Sequence, residues 1–502
     1  MYNIIIIFYR KVYMINKKAA ILLIACTAVN MLFSCGANTD IVEKETQAFT
    51  TASETESMPE IEALDGGGRD FVILNREVSE SYNSHPIAEF AADEQNGEII
   101  NDAVYTRNLF LEEKYNIKIV SENSSATGAD MKSKVIKACA SGDDLYSVIA
   151  LALNESFALA SQGFLYDIKS IPHIDPSKPW WMESAMKESS VKGKNHYIVG
   201  DMNLGAFNTA TCLFFNKKPI TDLHLDNPYI LVKENKWTMD KLSEMCKAYT
   251  TDINGDGVID HNDRFGLSSS SYAWQVFFYG CGSIFVKKDA GDVPYFPAID
   301  ERTYNVIMKI INLSSDPTCT INVTQVKNVP SIVQLQMDMF AENRCIFMIN
   351  NIYGTIPLRS VETEYGILPN PKYDSNQDDY ISSMHASNAT AMCVPITNDN
   401  TDLAGRILED MAYQSYNLVR PAYYDITLKT KFALDNESQE MLDIIFNKLI
   451  IDPVLIMWTS GQGVDGLFRN ALTNNDVNII SQIEANIDSY NATIKTAVEN
   501  FN

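Results

Sequence analysis

Histidine is scarce, bases are outnumbered by acids, and no cysteine pair stands at metal-ligand spacing. The 502 residues include 6 His and 5 Trp, with 40 Lys and Arg against 64 Asp and Glu. No His-Glu-x-x-His or Gly-x-Ser-x-Gly occurs, so the signatures of zinc and serine hydrolases are missing. The 9 cysteines contain no Cys-x-x-Cys, which argues against a zinc site or a dense disulfide framework. No apolar run reaches the ~20 residues of a membrane-spanning helix. The acid excess repels nucleic acid and anionic headgroups, so neither is an expected partner.

What is present begins at the N-terminus. Lys17 and Lys18 precede an apolar run, Ala19 to Phe33, followed at once by Ser34-Cys35-Gly36. That layout predicts a secretory signal over 1–34. Leu32-Phe33-Ser34-Cys35 resembles a bacterial lipobox, with Cys35 the acylated residue, although Phe33 is bulkier than usual at its position. Met14 makes a tidier signal start than Met1. Residues 35–69 are rich in Thr, Ser, Glu, Ala and Gly and poor in bulky apolar residues, which predicts a flexible tether. Arg10, Lys11, Lys17 and Lys18 all precede Cys35, so the mature chain keeps 36 bases against 64 acids, a net charge of −28. Seven cysteines remain after Cys26 and Cys35, and they read mostly as small buried hydrophobes. Their odd number suits a reducing or anaerobic habitat and leaves a single disulfide open.

From residue 70 onward the chain is too long for one compact core and suits two lobes. Strand-like Phe71–Leu74, a helical stretch near Glu98–Tyr115, strand-like Ile117–Val120, a helical stretch near Ala129–Ala140 and apolar Leu145–Leu153 follow in turn. Such alternation predicts an α/β fold with a largely parallel sheet. Beyond Leu403 the pattern is mainly helical, with apolar residues at helical spacing in Glu440–Leu449 and Val477–Val498. These helices are expected to pack across the lobes.

One local motif is specific. Thr251 to Gly266 reads TDINGDGVIDHNDRFG. It places Asp252, Asn254, Asp256, Asp260 and Asp263 at positions 1, 3, 5, 9 and 12 of a calcium loop, with Gly257 at the sharp turn and the Val258 carbonyl at position 7. Ile259 is expected to pack inward. A single copy in mid-chain predicts a structural calcium rather than a sensor or a docking module. Gly461-Gln462-Gly463-Val464-Asp465-Gly466 matches a dinucleotide fingerprint by letters, but no βαβ unit follows it, so a glycine-rich loop beside a cleft or a plain turn is the expectation.

Three segments resemble the family 1 extracellular solute-binding proteins of carbohydrate ABC transporters. They are Ser177–Asn203, with its Pro-Trp-Trp, Gly-Lys and Gly-Asp steps, together with Leu213–Lys217; the calcium loop with Arg264-Phe265-Gly266; and Tyr365–Tyr373 with Gln377 and Tyr380. The Gly193–Tyr197 step is one residue longer than the family usually shows. The resemblance implies a two-lobed periplasmic-binding-protein-like fold of type II, hinged between lobes, with a mostly helical C-terminal portion. Lobe 1 is expected over 70–205 and 380–435, and lobe 2 over 206–379 and 436–502 with the calcium loop 252–263. It further implies an extracytoplasmic, membrane-anchored monomer that captures a carbohydrate and delivers it to ABC permease subunits, without catalysis.

A sugar site needs flat aromatic platforms and planar hydrogen-bonding groups. Trp180, Trp181, Trp274, Tyr279 and Trp458 are the candidate platforms; Asp201, Asn203, Arg359 and Asp379 are the candidate polar contacts. Each tryptophan equally suits a core position, and Arg359 with Asp379 equally suits an interlobe ion pair. A secreted, lipid-anchored glycoside hydrolase stays open among 64 acids. So do a peptide-binding transport lipoprotein and an adhesin.

Overall fold

The computed structural model describes residues 57–77, 89–124, 128–428, 436–458, 461–499 and 501. The signal, Cys35 and most of the tether lie outside the described residues. Two sheets organise the rest. In the first, β1 (Arg69–Arg76) is flanked in parallel by β2 (Ile117–Ser124) and β3 (Val148–Ala152). In the second, β4 (Thr211–Asn216) lies antiparallel to a later strand, while β5 (Phe265–Ser269) is one of its parallel members. Two short strands, β6 (Lys287–Lys288) and β7 (Pro294–Tyr295), form a separate hairpin. The second sheet is completed by β8 (Thr320–Asn322), β9 (Cys345–Asn351) and β10 (Tyr365–Leu368) in the order β10-β4-β9-β5-β8. β11 (Ser382–Ser383) pairs with β13 (Leu449–Ile450), and β12 (Thr390–Cys393) returns to the first sheet antiparallel to β3.

The strands read as buried because their apolar residues occupy both faces. Along β3, Val148 and Ala150 face one core while Ile149 and Leu151 face the other, as the two-residue period requires. Helices Ile99–Tyr115 and Gly128–Ser141 connect β1 to β2 and β2 to β3, as the alternation predicts. The end of the segment read as tether belongs to the folded body. Gly66 and Gly68 donate their amides to the Tyr115 and Asn116 carbonyls at 2.7 and 2.8 Å, and Leu64 packs on the core.

The C-terminal helices touch both halves. Helix Pro453–Met457 packs on helix Leu153–Ala160 beside the first sheet, and helix Asn436–Asn447 packs on β10 of the second. The ring of Phe501 lies 5.4 Å from that of Phe157. A π-helical turn, Ser415–Val419, joins helices Thr401–Gln414 and Arg420–Leu428. The seven cysteines beyond residue 57 are free, and all but Cys139 are buried. No helix among the described residues is long and apolar enough to cross a membrane.

Candidate ligand cavity

In open α/β sheets a crevice forms beyond the carboxyl ends of parallel strands. Each strand of the second sheet turns polar at that edge. Ser268-Ser269-Ser270 follows Phe265–Leu267, Asn350-Asn351 follows Cys345–Ile349, and β8 ends at Asn322. β4 runs the other way and brings its amino end to the same edge, with Thr211 opposite Asn351.

The segment between β11 and β12 crosses this edge. Ser383 donates its amide to Thr211 Oγ1 at 3.1 Å, and Asn370 Nδ2 donates to the same oxygen at 2.9 Å. Further along, the Ala386 and Ala389 carbonyls accept the Asn154 and Leu153 amides, at 3.3 and 3.1 Å, just past β3. Arg76, at the end of β1, donates Nη1 to the Ser387 carbonyl at 3.2 Å. The crossing segment therefore connects the carboxyl ends of both sheets.

Between it and the second sheet lies a cavity of about 430 Å³, within the usual size of a small-ligand site. Its polar lining is Thr209, Thr211, Ser270, Gln275, Gln336, Asn350, Asn351, His385, Ser387 and Asn388; its apolar lining is Tyr272, Val276, Val323, Ile332, Val333 and Ile349. A smaller recess shares Gln275, His385 and Ser387 and adds Val454, Leu455, Trp458, Asp465 and Arg469. Arg469 pairs with Asp465 at 2.8 Å and lies 3.9 Å over the Tyr272 ring. Asp465 also accepts from Trp274 Nε1 at 2.9 Å and from the Gly461 amide at 2.6 Å. Burial, with Arg469 nearby, holds the His385 imidazole below its usual range. Ser269 Oγ, Asn351 Oδ1 and His385 Nδ1 are buried without hydrogen-bond partners, an arrangement that costs stability unless something else supplies the bond.

Most of the residues expected to touch ligand lie elsewhere. Trp180 and Trp181 are buried and donate Nε1 to Glu409 Oε1 and Oε2 at 2.9 and 2.8 Å, so both indoles serve the core. Asp201 is buried against Arg420 at 3.4 Å, with burial pushing its carboxyl up to about 7. Asn203 Oδ1 accepts the Gly200 amide at 3.0 Å, which leaves it a structural role. Trp274 is buried and stacks on Phe468 at 4.9 Å, with Tyr279 buried beside it. Arg359 is exposed, and Asp379 is an exposed carboxylate paired with Lys448 rather than with Arg359. Trp458 alone of the set lines the recess. The glycine-rich run opens helix Gly463–Asn474, where Asp465 turns toward that recess.

Tyr272, Gln275, Asn350, Asn351 and His385 escaped the sequence reading. For Asn350 and Asn351 the signal was the change from apolar to amide residues at the end of β9, which means little until the strands are known to be parallel; Tyr272 and Gln275, at the start of helix Ala273–Gly280, and His385, on the crossing segment, carried none.

The loop 252–263 lies on the surface between helix Met239–Lys247 and β5, closed at its base where Thr251 pairs with Arg264. Gly257 takes φ +81°, as a sharp turn at position 6 requires. Asp252 accepts the Gly255 and Gly257 amides at 2.6 and 2.9 Å, and Asp263 accepts those of Ile253 and Asp260, each at 3.0 Å. Asn254 and Asp256 likewise accept loop amides, at 2.8 Å each. Among the described residues no three or more His, Cys, Asp or Glu side chains are placed to hold a metal ion. The donor set suits a hard cation in its chemistry, but the side chains turn onto the loop's own amides instead of converging. Ile259, expected to pack inward, is 43% exposed because the loop is a surface excursion.

No family model and no curated protein matches the chain. Solved structures do share the fold. UspC of M. tuberculosis is 13% identical with a TM-score of 0.56, over 84% of this chain and 100% of that one. The cyclic alpha-maltosyl-1,6-maltose binding protein of Arthrobacter globiformis is 12% identical with a TM-score of 0.55, over 86% of this chain and 100% of that one. The ABC substrate-binding protein Lmo0181 of Listeria monocytogenes, solved in complex with cycloalternan, is 14% identical with a TM-score of 0.53, over 84% of this chain and 98% of that one. At these identities the likeness establishes architecture: the chain has the two-lobed α/β fold of the solute-binding proteins.

Proposed function

We propose that this chain is the substrate-binding lipoprotein of an ABC importer, of the family 1 type, which captures a carbohydrate and delivers it to a membrane permease. The observation that carries the reading is the cavity itself. Amides, hydroxyls and one exposed aromatic, Tyr272, meet at the carboxyl ends of the strands. Two of the structural neighbours are described by the sugars they bind. Amides and hydroxyls replace the water around sugar hydroxyls, while a flat ring covers an apolar sugar face.

Hydrolysis of a glycoside needs two carboxyl groups flanking the bond. Among the described residues no Asp or Glu lines the cavity, and Asp465 in the recess is held by Arg469 and Trp274. Binding without turnover is the reading this supports. Acylation at Cys35 belongs to the same proposal; a Cys35→Ala chain should appear in the medium instead of the membrane fraction.

The deciding experiment is thermal melting of the unlipidated chain against a panel of oligosaccharides, with chromatography of the recovered sugar. A ligand at 100 times its dissociation constant adds about 2.7 kcal/mol. One sugar class that raises the midpoint and returns intact supports capture for transport. Cleaved sugar would move the protein to the hydrolases, and a shift with peptides alone would replace the carbohydrate reading.

Structural calcium at 252–263 is proposed on its donor pattern and on the Gly257 turn, against the inward turn of its carboxylates. Melting with calcium and then with chelator tests it. A rise reversed by chelation supports the site, and identical curves remove calcium from the account.

A further inference from the structure

The cavity carries more information about its ligand than the word carbohydrate. Among the described residues, no Asp, Glu, Lys or Arg lines it. The neighbouring guanidinium of Arg469 is committed to Asp465 at 2.8 Å and to the Tyr272 ring at 3.9 Å. The other guanidinium nearby, that of Arg76, donates to the Ser387 carbonyl at 3.2 Å. A carboxylate or phosphate entering here would lose its hydration and would have to compete with these established contacts for a counter-charge.

The apolar part of the lining is equally specific. Val276 on helix Ala273–Gly280, Val323 after β8, Ile332 and Val333 on helix Ile332–Ala341, and Ile349 on β9 come from four elements to one cavity. All five are β-branched, with few rotamers, so the surface they make is stiff. A sugar hydroxyl pressed against it would exchange water for no partner and be disfavoured. A methyl group there would gain from leaving water.

We infer that this site selects neutral saccharides bearing a methyl-containing substituent, the feature shared by N-acetylated and 6-deoxy sugars, and seats that methyl against the valine and isoleucine side chains. The inference rests on the carbohydrate reading above.

Titration calorimetry of the mature, unlipidated chain tests it with matched pairs. Chitobiose against cellobiose isolates the acetamido group. L-fucose against L-galactose and L-rhamnose against L-mannose isolate the 6-deoxy carbon, and digalacturonate reports on charge. The expected result is that the substituted member of at least one pair binds about tenfold tighter or more, with digalacturonate not binding; a tenfold difference is about 1.4 kcal/mol. The pair that discriminates identifies the source of the methyl. Val333→Thr, which replaces a methyl by a hydroxyl at nearly constant volume on a half-buried side chain, should reduce that preference to about threefold or less. Sugars that bind with every pair matched within twofold, or tight digalacturonate binding, overturn the inference and leave carbohydrate capture standing. Failure of every saccharide to bind overturns both.

Discussion

Trp181 and Gly200 illustrate how closely single residues are matched here. They face each other in an isolated antiparallel bridge, and a Cβ on Gly200 would lie 2.6 Å from the Trp181 ring and 2.7 Å from the Trp180 carbonyl oxygen. Backbone on one side and a ring held by Glu409 on the other leave little room to yield. Gly200→Ala should therefore lower stability by about 1–3 kcal/mol, the usual cost of overpacking a core. Equilibrium denaturation measures this, and an unchanged midpoint would mean that the indole shifts freely. The Pro-Trp-Trp and Gly-Asp steps were legible as local motifs. Their contact with each other, and the partner Glu409 far along the chain, were not, because residue spacing carries no information about long-range contacts. The same limit placed Trp274 and Tyr279 among ligand candidates. Aromatic side chains serve cores and sites alike, and only burial separates the two uses.

At the scale of elements, pattern was a good guide. The helices Ile99–Tyr115, Gly128–Ser141 and Asn436–Asn447 and the strands β1 to β3 stand close to where periodicity puts them. Helix Thr401–Gln414 holds a less visible feature. Its Glu409 is buried and accepts from two indoles and from the Asp175 amide at 3.1 Å, all neutral donors. Burial pushes its carboxyl up to about 7 from an ordinary value of 4.5. At and below the ordinary value the folded and unfolded chains both tend to hold the proton. Between there and about 7 the folded chain keeps a proton that the unfolded chain sheds, so the Glu409 contribution to stability falls as pH rises through that window and then levels off. Melting across that range should show a decline that is shallower in Glu409→Gln. Identical slopes in the two proteins would show that Glu409 is already ionised in the folded state.

For the molecule as a whole, the ties between the sheets predict motion. Glu89 accepts from the Gly205 amide and, at 3.2 Å, from Thr390 Oγ1, so it touches both the outgoing segment before β4 and the strand β12 that ends the return. The cavity borders the returning segment, and a ligand contacting it is placed to alter the relation of the two sheets. Small-angle scattering should record a smaller radius of gyration at saturating ligand than without it. An unchanged radius would mean that the cavity fills without closure.

The sequence by itself determined the alternation of strand and helix, the helical C-terminal portion and the sharp turn at Gly257, since each depends on neighbours a few residues apart. Only the tertiary structure decided which tryptophans were core and that Ile259 faces outward. It alone brought Thr211, Gln275, Asn351 and His385 to one cavity. Those residues converge through parallel pairing of β5, β8 and β9 and through a return segment more than a hundred residues after β5, and no local periodicity encodes that order.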